Sequence, residues 1–410
     1  MKFDTVVLGG GIVGVSVAVH LQRRGLSVAL VDRKAPGNET SLGNAGLIQR
    51  EGVYPYALPR DFAALARYAG NRQTDVRYHS AALPGLLPFL SRYWYHSRAD
   101  RHAEIARAYS TLIEHCVTEH QQLIDAAGAQ ELLRTGGWLK VFRTERAMQK
   151  SVAEAQRWQA EYAVEFEALD RAALREAEPA LSDALVGGVR YTSSNSVSDP
   201  NGLVTAYARL FEKLGGKVLI GDAATLEPSW SVMTRDGRVE AKAIVVAMGP
   251  WSGEVAGKLG YRLPLAVKRG YHMHYAAPQG VRLNQPVLDP EVGFMITPMV
   301  RGIRLTTGAE LGLRDSARTP VQLTAVEPLA RDIFPLGARL DHEPWMGCRP
   351  CTPDMMPIIG PAPRHDNVWF AFGHAHHGLT LGPVTGRLIA EMMTGEPTLV
   401  DTLPFRVDRF

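Results

Sequence analysis

The sequence predicts an α/β protein in two parts, a Rossmann-like unit and a second α+β unit built on a mainly antiparallel sheet. Three observations predict it. "VVLGGGIVGVSVAVHL", Val6 to Leu21, places a glycine-rich turn between an apolar run and a helical stripe. The runs "GKVLI" and "AKAIVVAMGPW" are short and continuously apolar, as strands buried on both faces of a parallel sheet are. Between Leu263 and Trp345 the pattern changes to alternation and turns, the mark of antiparallel strands.

Size and composition agree. A chain of 410 residues that is 46% hydrophobic can bury two large cores. Lysine plus arginine number 45 against 42 acidic residues, a near balance that argues against a nucleic-acid partner. Three cysteines, an odd count, make no extracellular disulfide framework and point to a reducing, cytoplasmic setting. The Val6–Leu21 stretch is short for a membrane span, carries four glycines and follows Asp4 where a leader would have basic residues.

The elements follow in chain order. Phe3 to Arg33 reads as strand, turn, amphipathic helix and strand. "NETSLGNAG", Asn38 to Gly46, is small and polar and is expected to be a loop returning to the first turn. Ala99 to Ala127 carries Ile105, Leu112, Ile113, Cys116, Leu123 and Ile124 at spacings of three, four and seven, which predicts one helix with one buried face. Further helices are expected at Glu145–Tyr162, Leu203–Leu214 and from about Leu381, with "YHMHY", "GFMITPM" and "GIRLTTGAEL" as antiparallel strands. We place residues 1–50, 137–262 and 346–410 in the first domain, and 51–136 and 263–345 in the second.

Gly9-Gly10-Gly11-Ile12-Val13-Gly14 is a G-x-G-x-x-G directly after a strand and at the first turn of a helix. Gly9 permits the tight turn, Gly11 lets backbone approach a pyrophosphate, and Gly14 lets helix pack on sheet. The helix N-terminus offers N–H groups to phosphate, and Asp32 closes the second strand where a carboxylate can accept from a ribose hydroxyl. The fingerprint itself leaves open which dinucleotide binds.

Four ordered segments narrow it. "ETSLGNAG", "AIVVAMGPWS", "GCRPCTPDMMPIIGP" and "GHAHHGLTLGPVTGRLIAEMMTG" resemble the flavin-contacting segments of the D-amino-acid oxidase superfamily of FAD-dependent oxidoreductases. Within it the chain is most similar to bacterial D-amino-acid dehydrogenases and D-hydroxyproline-type dehydrogenases. The resemblance implies FAD, held non-covalently. It assigns Gly9, Gly11, Ile12, Val13, Gly14, Asp32 and Arg33 to the ADP half. Thr40, Ser41, Asn44, Ala45, Gly46 and Leu47 would approach the pyrophosphate and the flavin ring. Ala224 would lie by adenine, Gly249 and Trp251 in the flavin-adjacent loop, and Gly378, Leu379 and Thr380 by the pyrimidine end of the ring. No second G-x-G-x-x-G occurs, so electrons are expected from the organic substrate.

Cys348-x-x-Cys351 suggests thiol redox chemistry or half a zinc site, but Pro350, Pro353 and Pro357 hold this stretch extended and no second cysteine pair follows. No metal is expected. The resemblance makes Arg349, between the cysteines, the group that pairs with a substrate carboxylate, since a guanidinium matches two carboxylate oxygens with two parallel donors. It places Tyr271 and His376 beside the substrate, His374 in a structural role around the flavin, and Tyr54, Tyr56 and Met295 in the pocket wall.

The implied activity is oxidation of D-amino acids, including cyclic ones of the D-proline or hydroxyproline type, by hydride transfer from Cα–H to flavin N5. Electrons would pass to a quinone, oxygen or a partner subunit. Glycine- or sarcosine-type amine oxidation, 2-hydroxy-acid oxidation and a structural FAD-binding subunit are the alternatives. "LPGLLPFLSRYWYHSR", Leu83 to Arg98, is mixed apolar, aromatic and basic, suited either to peripheral contact with the inner face of the cytoplasmic membrane or to packing on its own domain.

Overall fold

The computed structural model describes residues 1–410. Strands Lys217–Glu227, Val28–Asp32, Lys2–Leu8, Gly237–Val246 and Val368–Phe372 lie side by side and parallel, with Ile358–Pro361 antiparallel at one edge. Strand Ser231–Thr234 joins as an antiparallel excursion between the first and fourth of these. Val6, Val7, Leu8, Ala29, Leu30 and Val31 are buried, as expected of strands covered on both faces.

Helix Ile12–Arg23 is buried from Ile12 through Leu21. It is covered by the C-terminal helix Gly378–Thr394, in which Gly382 and Gly386 face the first helix. A Cβ on Gly386 would come within 2.6 Å of Ser16 backbone, so the two helices need glycine there to approach this closely.

The second sheet has ten strands. In spatial order they are Val76–Tyr78, Ala309–Leu311, Ala266–Tyr275, Gly302–Thr307, Phe294–Met299, Val287–Asp289, Trp138–Phe142, Gly187–Tyr191 and Glu167–Asp170, with Trp345–Cys351 paired to Ala266–Tyr275. Two of its pairings are parallel, Val287–Asp289 with Trp138–Phe142 and Ala309–Leu311 with Val76–Tyr78; the rest are antiparallel. The central strand Ala266–Tyr275 therefore has Gly302–Thr307 and Ala309–Leu311 along one edge and Trp345–Cys351 along the other.

The fold class is as the sequence indicates, but the division of the chain differs. Trp138–Phe142, Glu167–Asp170, Gly187–Tyr191 and Trp345–Cys351 belong to the second sheet, although the sequence pattern puts residues 137–262 and 346–410 in the first unit. The segment Ala99–Ala127 instead packs into the core around the first and last helices. An amphipathic stripe shows that a helix buries a face, not which partner receives it. That segment is also two helices, Ala99–Glu114 and Cys116–Ala127, broken at His115. The loop expected at Asn38–Gly46 contains a short 3-10 turn, Thr40–Gly43. The last helix begins at Gly378, three residues before the expected start.

Candidate active site

One cavity of about 920 Å³ runs from the first glycine turn to the second sheet. That is near the top of the range of about 300–1,000 Å³ common for cofactor and ligand sites. At one end stand Gly9, Gly11, Ile12, Val13, Asp32 and Arg33. Gly9 has φ +112°, and a Cβ there would lie 2.4 Å from the Ala247 carbonyl oxygen, so the turn requires glycine. Ile12 N–H donates to Ser41 Oγ at 3.2 Å, while no protein group accepts from the N–H of Gly11 or Val13. Open donors at the positive end of a buried helix fit a pyrophosphate. Asp32 accepts from Gly10 N–H at 2.6 Å and Lys34 N–H at 3.1 Å, which fixes its carboxylate at the cavity wall.

Arg33 is held flat. It pairs with Glu39 at 2.7 Å and stacks 4.1 Å over Trp251, whose ring also lies 5.4 Å from Arg314. Ala224, Gly249 and Trp251 line this end; Thr40, Ser41, Asn44, Ala45, Leu47, Gly378 and Leu379 line the middle. These residues fit the elongated dinucleotide that the glycine turn calls for. Gly14, Gly46 and Thr380 are off the cavity surface. Gly14 packs under Gly9, where a Cβ would sit 1.8 Å from the Gly9 carbonyl oxygen. Gly46 abuts the Val197 carbonyl, and Thr380 Oγ1 accepts from Gln49 N–H and donates to the Leu47 carbonyl. They shape the wall from behind.

At the far end, Arg349 rises from strand Trp345–Cys351 and crosses over the neighbouring strand at Gly270. A Cβ on Gly270 would fall 2.7 Å from both terminal nitrogens of the guanidinium, so a missing side chain makes the crossing possible. Arg349 Nη1 donates to the carbonyls of Arg269 (3.3 Å) and Gly308 (3.1 Å). No carboxylate lies within ion-pair distance of it, and burial pulls the guanidinium below its ordinary pKa. A half-buried arginine that faces the cavity, held by backbone carbonyls without a counter-ion, is prepared for an anion from outside.

Tyr56 and His376 face the same space. Their rings lie 4.4 Å apart, edge to face. Tyr56 is 61% exposed, yet it lines the cavity, so its open surface belongs to the cavity; its hydroxyl has no partner in the protein. Burial first, then the neighbouring His377 and the positive charge of Arg349 and Lys268, keeps His376 well below the usual histidine range, hence neutral. Met295 lines the wall from strand Phe294–Met299.

Two expected pocket residues are placed otherwise. Tyr54 does not line the cavity: its hydroxyl donates to Glu161 at 2.5 Å and its ring packs on Trp158 and Tyr162. Tyr271 touches the cavity wall, but its hydroxyl points away, donating to Glu310 at 2.9 Å and accepting from Arg269 at 2.7 Å and Thr319 N–H at 2.8 Å. It braces the fully buried Arg269–Glu310 pair and leaves no hydroxyl for substrate.

His374 is buried against Thr385 Oγ1 at 2.9 Å, with burial pushing its pKa down to about 3. Cys348 and Cys351 are free thiols pushed above their ordinary pKa by burial. Three apart on one strand, they point to opposite faces and form neither a redox pair nor a chelate. His272, His274 and Asp341 cluster near the sheet, but His274 bonds Asp341 at 2.7 Å and accepts from Arg304 at 3.1 Å, so a guanidinium occupies the place of a cation.

Neither Lys268 nor Trp345 stands out in the sequence. Lys268 lies opposite Arg349 in the strand ladder, and the Trp345 ring fills the space left by Gly43 and Gly347. The only local signal is the Lys-Arg-Gly run in strand Ala266–Tyr275.

Residues 4–392 match the family described as FAD dependent oxidoreductase. The chain is 28% identical to a D-amino-acid oxidase of Bradyrhizobium diazoefficiens, with 98% of each chain covered. It is equally 28% identical to a D-amino acid dehydrogenase of Granulibacter bethesdensis, with 99% of each covered. Among solved structures it resembles glycine oxidase from Geobacillus kaustophilus, at 21% identity and a TM-score of 0.74, covering 100% of this chain and 99% of that one. With the glycine turn, the elongated cavity and a match over nearly its whole length, the chain belongs to the DAO family of FAD-dependent oxidoreductases.

Proposed function

We propose that this flavoenzyme oxidises the Cα–N bond of D-amino acids and passes the electrons to a quinone, oxygen or a partner subunit. The observation that carries the reading is the uncompensated Arg349 guanidinium at the end of the cavity opposite the glycine turn. The names of the two relatives support the substrate class.

FAD supplies a two-electron acceptor when bound. Arg349 takes the α-carboxylate through parallel donors and so fixes which face of Cα is presented. Tyr56 adds a hydroxyl to the same group from the cavity side. The neutral imidazole of His376 accepts a hydrogen bond from the substrate's free amine, from which a hydride leaves, while the positive charge of Lys268 nearby disfavours the ammonium form, whose proton goes to solvent. The apolar wall, including Leu90, Met295 and Leu311, excludes water while Cα is aligned. Loss of the hydride leaves an iminium ion, which water converts to a 2-oxo acid and ammonium. Tyr271 acts by holding Arg269 and Glu310, and thereby the strand that Arg349 crosses.

Anaerobic addition of D- and L-amino acids, D-proline, cis-4-hydroxy-D-proline and 2-hydroxy acids to the holoenzyme tests this. Loss of flavin absorbance with D-amino acids alone is expected. Bleaching only by L-amino acids or hydroxy acids, or by none of the panel, would overturn it. Re-oxidation by oxygen against a quinone identifies the acceptor. No helix is long and apolar enough to cross a membrane. Helix Leu83–His96 turns Leu86, Phe89 and Tyr93 into the protein and leaves Leu87 and Tyr95 outside, so any membrane contact is made by those few side chains.

A further inference from the structure

Arg349 is not the only uncompensated cation in this pocket. Lys268 stands directly opposite it in the antiparallel ladder, which puts both side chains on one face of the sheet, and both line the cavity. Like charges in directly opposed positions repel. Neither has a carboxylate within ion-pair distance. The ammonium of Lys268 reaches only the Tyr93 hydroxyl at 3.1 Å, the Tyr93 ring at 4.4 Å and the Met355 sulfur at 3.9 Å. Tyr93 and Met355 belong to an apolar cluster with Leu86, Phe89 and Cys351. A lysine placed there has donors to spare and no anion to satisfy them.

The two charged heads also diverge. Arg349 crosses the strand Ala266–Tyr275 at Gly270 and anchors at the Gly308 carbonyl on its far edge. Lys268 goes the other way, toward the helix Leu83–His96 and the Met355 loop. One carboxylate held in the fork of Arg349 leaves the ammonium free for a second anion some distance along the same molecule.

We propose that the preferred substrate carries two negative charges: an amino acid with an acidic side chain, its α-carboxylate on Arg349 and its side-chain carboxylate on Lys268. This deepens the amino-acid oxidation proposed above and rests on it.

The test pairs each acidic substrate with its neutral isostere in the holoenzyme. kcat/KM for D-glutamate should exceed that for D-glutamine by tenfold or more, or D-aspartate that for D-asparagine. Lys268→Gln should collapse that ratio toward one, Lys268→Arg should retain most of it, and Lys268→Glu should turn the preference toward D-lysine and D-arginine. Flavin content and melting temperature show that each variant is folded. A second measurement needs no turnover: titration of the holoenzyme with glutarate or succinate against butyrate, read from perturbation of the flavin spectrum. The dicarboxylate should bind at least tenfold more tightly, and Lys268→Gln should remove the difference. Equal affinities, or equal kcat/KM within the isosteric pairs, would overturn the proposal even if neutral D-amino acids bleach the flavin. If no amino acid is oxidised but the dicarboxylate preference stands, the reaction assigned above is wrong and the double-anion pocket is right.

Discussion

The Gly270→Ala substitution isolates the geometry on which substrate orientation depends. The added Cβ would stand 2.7 Å from both terminal nitrogens of Arg349 and 2.9 Å from Cζ, closer than a side-chain carbon approaches such atoms. Gly270 does not have a positive φ, so alanine suits the strand and the guanidinium must yield, by roughly 1 Å, for ordinary contact to be restored. A misplacement of about 1 Å at a binding group can cost on the order of a hundredfold in rate, which corresponds to about 2.7 kcal/mol. Flavin content and melting temperature are expected to stay near those of the unsubstituted protein, because the clash is with the end of a flexible side chain. Steady-state kinetics with the best D-amino acid, alongside the flavin spectrum, reads both quantities. A variant with full kcat/KM would show that the crossing of Arg349 over Gly270 is irrelevant to turnover, and simultaneous loss of flavin would show that the residue holds the fold instead.

Other substitutions separate the two ends of the cavity. Gly9→Ala drives a Cβ into the Ala247 carbonyl at 2.4 Å with φ at +112°, so purified protein should carry less than about a tenth of the normal flavin; full occupancy would contradict the cradle. Tyr56→Phe removes a hydroxyl with no protein partner and should raise KM on the order of tenfold, about 1.5 kcal/mol for a bond to a charged group, with flavin content unchanged; an unaltered KM would remove Tyr56 from the substrate's surroundings. Stability should fall in acid for a defined reason. Burial pushes His20, His374 and His377 down to about 3 and His120 to about 4, so the folded state keeps them neutral while the unfolded chain protonates below its ordinary 6.5. Each then withdraws roughly 1.4 kcal/mol per pH unit between 6.5 and its folded value, the window in which only the unfolded state gains the proton. Urea midpoints should drop steadily from pH 7 to 5.5, and His20→Gln should flatten the slope; a flat profile would contradict the assignment.

What is legible in the sequence is local. The glycine turn, the apolar runs and the alternating strands each announce themselves within a few residues, because backbone sterics and burial act at that range. Gly9 and Gly14 have reasons for being glycine that their spacing within one turn already supplies. Gly270 has none, since its need for a bare Cα comes from an arginine 79 positions later that reaches across from the next strand. Tyr54 and Tyr56 are two residues apart in one loop with similar neighbours, yet one stacks on Trp158 and the other enters the cavity. Nothing in their spacing distinguishes them. The helices of Ala99–Ala127 show their buried stripe but not the core that receives it. Lys268 escapes notice because a strand's alternation gives the face of a side chain and not the absence of a counter-ion, which only the assembled pocket reveals.

Arg349→Ala, studied as a flavin-loaded protein under anaerobic single-turnover conditions, shows whether this guanidinium holds the substrate carboxylate. An intact flavin spectrum is expected, with a loss of about 2–5 kcal/mol of transition-state stabilisation, seen as bleaching slowed by a factor of roughly 30 or more at limiting D-amino acid. Bleaching at the rate of the unsubstituted protein would mean that the substrate carboxylate is held elsewhere.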